Sequence, residues 1–203
     1  MSSFLIVAAA YLLGSIPFGY LAGKLLKGID IRQYGSGNIG TTNIHRILGL
    51  KPAIIVLILD VAKGLLPVLL ARYFTDSTTL HLVTGFAAIV GHNWPLFLKF
   101  RGGKGIATSI GVFIGLAPLV LLIGCIVGGL VIAVTRYVSL GSIIGALSAP
   151  IAMIILDMPP VYIFFGIIIC IMVIWRHREN IVRLLNGTEN KLGTKVKIEN
   201  EGK

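Results

Sequence analysis

Charge is scarce in this 203-residue chain: 13% of its residues are Asp, Glu, Lys or Arg against 56% hydrophobic, and the mean hydropathy is +0.92. A soluble domain of this length cannot hide so much apolar surface, so the bilayer is the natural solvent. Acids are scarcer still, 8 against 18 Lys and Arg, which leaves a formal charge of +10 and admits nucleic acid, anionic lipid or phosphorylated substrates as partners. Cysteine is nearly absent. Cys125 and Cys170 each sit in a long apolar run with no metal-ligand spacing around them, so both read as small core hydrophobes. No basic residue precedes the first apolar run, while Lys24 and Lys27 follow it directly; this argues against a secretory signal and predicts an uncleaved first helix with its N-terminus outside.

What is present is a series of apolar runs, at about 4–23, 52–71, 80–98, 106–135, 138–156 and 160–175. A crossing takes roughly 20 residues. The fourth run is too long for one crossing and is interrupted by Gly115-Leu116-Ala117-Pro118, which predicts a short helix, a tight turn and a full helix. The expected fold is therefore all-α, a polytopic integral membrane protein with seven transmembrane helices in one domain over residues 1–190. A polar tail follows over 191–203.

Seven crossings place the termini on opposite sides, and the cations sort accordingly. Lys24, Lys27, Arg32, Arg46, Lys51, Lys99, Arg101, Lys104, Arg136, Arg176, Arg178, Arg183, Lys191, Lys195, Lys197 and Lys203, 16 of the 18, fall on one side. The opposite connections carry Arg72, Asp76 and Asp157, and Lys63 lies within a helix. The positive-inside rule makes the basic loops cytoplasmic and the N-terminus external. Asp60 and Lys63, three residues apart in the second run, are expected to pair, since each alone costs roughly 2.5 to 3.5 kcal/mol at the bilayer centre.

Three basic-side segments carry candidate chemistry. The first, Gly35-Ser36-Gly37-Asn38-Ile39-Gly40-Thr41-Thr42-Asn43-Ile44-His45-Arg46, contains G-x-G-x-x-G but has neither the preceding strand nor the later acid of a dinucleotide site. What survives is local: glycines let backbone N–H groups converge on an anion, hydroxyl and amide side chains add donors, and Arg46 adds a fork. A plain flexible loop is the competing reading.

The second segment runs from Gly91-His92-Asn93-Trp94-Pro95 to Arg101-Gly102-Gly103-Lys104-Gly105-Ile106-Ala107-Thr108. It is not a P-loop, because Gly105 follows Lys104 where Ser or Thr is required and the upstream glycine is missing. A glycine-rich turn opening a helix beside a lysine is still an anion site, although Trp94, Phe97, Lys99, Phe100 and Arg101 also fit a headgroup belt. The third segment, Arg176 to Glu189, places Arg176, His177, Asn180 and Arg183 where they converge on one helical face. A basic juxtamembrane helix on anionic lipid fits it too, with His177 as a structural hydrogen bonder. Ser142, at the start of the sixth helix, reads as a hydroxyl donor or as a helix-packing serine.

These three segments, in this order, resemble the bacterial acyl-phosphate-dependent glycerol-3-phosphate acyltransferase family. Leu13-Gly14-Ser15-Ile16-Pro17-Phe18-Gly19 and Arg136-Tyr137-Val138-Ser139-Leu140 fit as well, so the resemblance runs up to about Glu189. Thr41 stands where the family usually has alanine, which argues against Thr41 as a ligand, and Trp94 where Phe or Tyr is commoner. The resemblance implies transfer of an acyl group from acyl phosphate to the primary hydroxyl of glycerol 3-phosphate. It implies a site on the cytoplasmic face of a bacterial plasma (inner) membrane, no metal, no cofactor, and no use of acyl-CoA or acyl carrier protein. Membrane lipid and the enzyme that makes acyl phosphate are the expected partners, and nucleic acid is not.

His177, Lys104 and Asn180 are the expected catalytic residues. Ser36, Gly37, Asn38, Gly40, Thr42, Asn43, Arg46, Gly102, Gly103, Lys104, Gly105, Ser142, Arg176, His177, Asn180 and Arg183 are the expected phosphate-binding or orienting set. The favoured mechanism lets an acyl-phosphate oxygen take the hydroxyl proton and keeps His177 as a phosphate ligand; His177 as general base is the alternative. A transporter would need ionisable groups along several spans, and an alcohol phosphatidyltransferase several aspartates for metals. Beyond Asp60 and Lys63 the spans hold almost none.

Overall fold

The computed structural model describes residues 2–194, so the tail expectation for 195–203, with Lys195, Lys197 and Lys203, lies outside the described residues. Regular structure among the described residues is entirely helical: α1 (Ser3–Gly14), α2 (Phe18–Lys27), α3 (Thr41–Leu48), α4 (Leu50–Phe74), α5 (Thr78–Asn93), α6 (Ile106–Leu116), α7 (Pro118–Thr135), α8 (Val138–Ile155), α9 (Pro160–Arg176) and α10 (Arg178–Leu185), with two short 3-10 turns. Four segments are long and apolar enough to cross a membrane, namely α1 with α2, α4, α7 and α8. The bent pair α9–α10 makes a fifth.

The first apolar run is broken, not continuous. Pro17 lacks a backbone donor, the helix stops at Gly14 and restarts at Phe18, and the Ile16 carbonyl accepts a hydrogen bond from Lys63 Nζ at 2.7 Å. The run at 106–135 divides as its Gly-Leu-Ala-Pro interruption predicts, with Pro118 opening α7. The third run ends at Asn93 instead of continuing to 98, because Pro95 and the left-handed backbone of Lys99 and Phe100 turn the chain there. The third motif is also not one helix: the axis bends by 59° at His177, so Arg176 ends α9 while Asn180 and Arg183 lie on α10.

Helix α4 is central, packing on α1, α2, α3, α5 and α6, while α7, α8 and α9 form a second layer joined through α6 and α5. Apolar burial does not drive helices together in lipid, so close approach must. Glycine provides it: a Cβ on Gly111 would overlap the Val61 carbonyl, one on Gly64 the Thr108 carbonyl, and one on Gly14 the Ala88 carbonyl. Lipid-facing positions such as Leu130 and Val134 on α7 stay exposed. Asp60 and Lys63 are buried on α4 and paired at 2.7 Å, as the spacing predicts. The loops carrying the three motifs meet at one end of this bundle.

Candidate active site

Each motif is folded by its own hydrogen bonds before it contributes to a site. In the first, Asn43 is the organiser. Its side chain accepts from Ser36 N at 2.8 Å and donates to the carbonyls of Ile31, Tyr34 and Asn38 at 3.3, 3.1 and 2.8 Å, so its polar atoms are used internally. Gly35 and Gly37 adopt positive φ within this turn, and a Cβ on Gly35 would overlap Asn43 Oδ1. Asn43 therefore shapes the turn while also bordering the cavity, and Gly37 shapes the turn without reaching the cavity wall where a ligand was expected. The turn delivers the N-terminus of α3, with Gly40, Thr41 and Thr42 on a cavity wall; Gly40 N is taken by Asn38 Oδ1 at 2.8 Å. Thr41, discounted from the sequence, has a buried hydroxyl on that wall with no hydrogen-bond partner among the described residues.

In the second motif the peptides are oriented from both sides. Arg176 donates from Nε to Gly103 O at 2.9 Å and from Nη2 to Gly102 O at 2.9 Å, while Gly103 N donates to the His92 carbonyl at 3.1 Å. Because a trans peptide points its N–H opposite its carbonyl, the Lys104 N–H faces away from Arg176. Arg176 is thus a staple on the turn and not a wall of the cavity, which corrects its assignment as a phosphate ligand. Gly102 and Gly103 likewise shape the turn, and Lys104, Gly105, Ile106 and Ala107 reach the cavity at the start of α6.

The third motif closes the site around a residue the sequence reading did not select. Lys104 Nζ donates to Asn180 Oδ1, and Asn180 Nδ2 donates to Glu189 Oε1 at 2.8 Å. Ser139 Oγ reaches the same oxygen at 3.0 Å, and Arg183 Nε holds Oε2 at 2.8 Å. Arg183 therefore neutralises Glu189 and does not border the cavity, whereas Glu189 does. The same segment also holds Glu179, which the structure leaves exposed, so the sequence carried no signal that singled out Glu189. Arg46 borders the cavity and donates to Asn190 O at 3.3 Å. Ser142 lines the cavity too, its hydroxyl held on Val138 O at 2.9 Å.

The resulting cavity, about 230 Å³, also receives Ser36, Asn38, Asp60, His92 and His177. Its electrostatics are set by burial. Burial pushes the Lys104 ammonium down to about 8, helped by repulsion from Arg183 and opposed by Glu189. Burial also pushes His177 down to about 4, with Lys104 adding to the effect. Its Nδ1 lies 2.8 Å from the Val173 carbonyl, which only accepts, so the proton sits on Nδ1 and Nε2 carries the lone pair. Burial lowers Arg46 as well, though a guanidinium remains charged. Burial alone would raise Glu189, but donation by Arg183, Asn180 and Ser139 outweighs it and holds the carboxyl below its ordinary range. A second cavity of about 180 Å³ lies between α6, α7, α8 and α9, almost wholly apolar, and shares Ile106, Ile110 and Ser142 with the first.

The chain is similar to known proteins over nearly its whole length. Residues 4–187 match the family model described as glycerol-3-phosphate acyltransferase. A glycerol-3-phosphate acyltransferase of Desulforamulus reducens is 47% identical over 195 residues, covering 96% of this chain and 98% of that protein, and one of Shouchella clausii is 51% identical over 195 residues, covering 93% and 95%. Among solved structures, the integral membrane glycerol 3-phosphate acyltransferase PlsY (YgiH) in its glycerol 3-phosphate form superposes with a TM-score of 0.90 at 43% identity, covering 96% of this chain and 97% of that one. Its lysophosphatidic acid form gives 0.87 at the same identity and coverage.

Proposed function

The chain belongs to the glycerol-3-phosphate acyltransferase family, and from that premise we propose that its cavity joins glycerol 3-phosphate to an acyl group delivered as acyl phosphate. The products are 1-acyl-glycerol 3-phosphate, which is lysophosphatidic acid, and inorganic phosphate, in the first step of membrane phospholipid synthesis. One observation carries the reading: the N-termini of α3 and α6 open onto a single cavity that two cations also border, Lys104 just before α6 and Arg46 from the last turn of α3. Free N–H groups and the positive end of a helix bind phosphate. Two such ends fit two phosphorylated substrates. Unit charges about 6 Å apart repel by roughly 3 kcal/mol at an effective dielectric near 20, so both cations are required.

The primary hydroxyl oxygen forms a bond to the acyl carbonyl carbon, the carbonyl–phosphate oxygen bond breaks, and the hydroxyl proton ends on the released phosphate. The donor carries its own good leaving group, so positioning supplies much of the rate. Neutral His177, with its lone pair on Nε2, suits accepting a hydrogen bond from the attacking hydroxyl better than holding a phosphate, which reverses the preference drawn from sequence. Lys104, Arg46 and the α3 and α6 N–H groups hold the phosphates, Ser36, Asn38, Thr42 and Ser142 orient the substrates, and Asn180 fixes Lys104. The apolar cavity beside Ile106 and Ile110 accommodates the acyl chain next to the membrane.

The proposed topology is seven crossings, by α1–α2, α4, α5, α6, α7, α8 and α9, with the N-terminus outside and the cavity open to the cytoplasm at a bacterial plasma membrane. The loop cations support it. The enzyme that makes acyl phosphate is the proposed functional partner. Purified protein given labelled glycerol 3-phosphate and acyl phosphate, without added metal, is expected to release lysophosphatidic acid and phosphate; acyl-CoA in place of acyl phosphate is expected to give none. No product from the first pair overturns the proposal.

A pH profile tests the role of Lys104. Since burial disfavours the ammonium, the charge that binds phosphate is present below about 8 and is lost as pH rises through it. Substrate phosphates have their second ionisation near ~6 and are constant there. kcat/KM is expected to fall above pH 8 in the natural enzyme, and with Lys104→Arg that alkaline limb should leave the range up to about pH 10, since arginine stays charged.

A further inference from the structure

The glycine turn rests on a buried polar chain that the proposed chemistry does not use. It begins where the first apolar run breaks: Lys63 on α4 donates to the Ile16 carbonyl at 2.7 Å and sits 2.7 Å from Asp60 Oδ1. Across from that oxygen, at 3.7 Å, lies Nδ1 of His92 in the last turn of α5. His92 Nδ1 has no hydrogen-bond partner among the described residues, and the Lys63 ammonium is the group that pairs with Asp60 Oδ1. The opposite edge of the ring, at Nε2, abuts Gly103 so closely that a Cβ there would overlap it, and a Cβ on Gly102 would overlap the His92 carbonyl. With Gly103 closing its Nε2 edge, the imidazole is poorly placed to meet a substrate proton. Its surroundings suit holding the turn in place.

We propose that His92, seated between the membrane-buried Asp60–Lys63 pair and Gly103, is a positioning residue that sets the height of the Gly102–Lys104 turn and so aims the phosphate-binding groups of Lys104 and α6. Arg176 pulls the two carbonyls from one side, and His92 bears on the turn from the other. This role depends on the turn being an anion site, as proposed above. It also accounts for glycine at 103, where the neighbouring ring leaves space for a Cα only.

The test is a double-mutant cycle read at the turn, with inorganic phosphate as the probe. Gly103→Ala is expected to lower kcat/KM about 10²-fold, the cost of a displacement near 1 Å, and to raise the inhibition constant of inorganic phosphate. Adding His92→Ala removes the obstructing ring, so the double variant is expected to recover at least about tenfold in kcat/KM over Gly103→Ala alone, with phosphate inhibition moving back toward normal. A merely structural role for His92 predicts the reverse, because the two losses would accumulate. A double variant as poor as the summed singles overturns the inference. If Gly103→Ala does not accumulate in the membrane, the single His92→Asn variant decides, and an unchanged phosphate inhibition constant and kcat/KM overturn it. Should inorganic phosphate fail to inhibit the natural enzyme at all, it is the anion-site reading that falls.

Discussion

Alanine at position 104 is expected to lower kcat/KM by about 10²- to 10³-fold, the usual cost of removing one preorganised donor from a water-poor site. Lys104 is the cation at the start of α6, held by Asn180, and no other ammonium borders the cavity among the described residues. Its removal leaves Asn180 Oδ1 without its partner and the α6 end with only backbone dipoles. Steady-state assays of lysophosphatidic acid formation across both substrate concentrations check the size of the effect and identify which phosphate Lys104 holds, since KM should rise for that substrate. Retention of more than about a third of normal activity would remove Lys104 from the mechanism, given the smallest loss expected of such a donor.

Lys63→Met is expected to destabilise the protein by about 3 to 5 kcal/mol, because it strands a buried carboxylate. Asp60 and Lys63 have side-chain exposures of 2% and 1%, so solvent cannot take over from the lost partner. The same change removes the donor to Ile16 O at the break of the first run, loosening α1 against α4. Asp60→Asn combined with Lys63→Met should recover most of the loss, since no unpaired charge then remains. Thermal unfolding in detergent reads both variants. A single variant that melts with the natural protein would show that the pair carries little stability.

Some of this was legible along the chain because the signals are local sums. Long apolar runs, the Gly-Leu-Ala-Pro interruption and the gathering of cations in alternate loops need no knowledge of packing. The three motifs were legible for the same reason, as glycines and donors close together in sequence, and so was the Asp60–Lys63 pair at its helical spacing. Individual roles within the motifs were not. Asn43 and Arg176 have the composition of ligands, yet their donors are spent on carbonyls of their own fold.

By itself, then, the sequence determined that the chain lives in a membrane, that its cations gather in a few segments, and which three segments come to border the cavity on which the proposed chemistry rests. Tertiary structure alone decided that Arg176 orients the glycine turn 73 residues away, that Glu189 links Ser139, Asn180 and Arg183, and that His92 lies beneath Gly103. The division has a physical cause. Hydropathy and charge act through the sum of neighbouring residues, whereas a hydrogen bond or a steric contact acts over a few ångströms between groups that only the folded helices bring together.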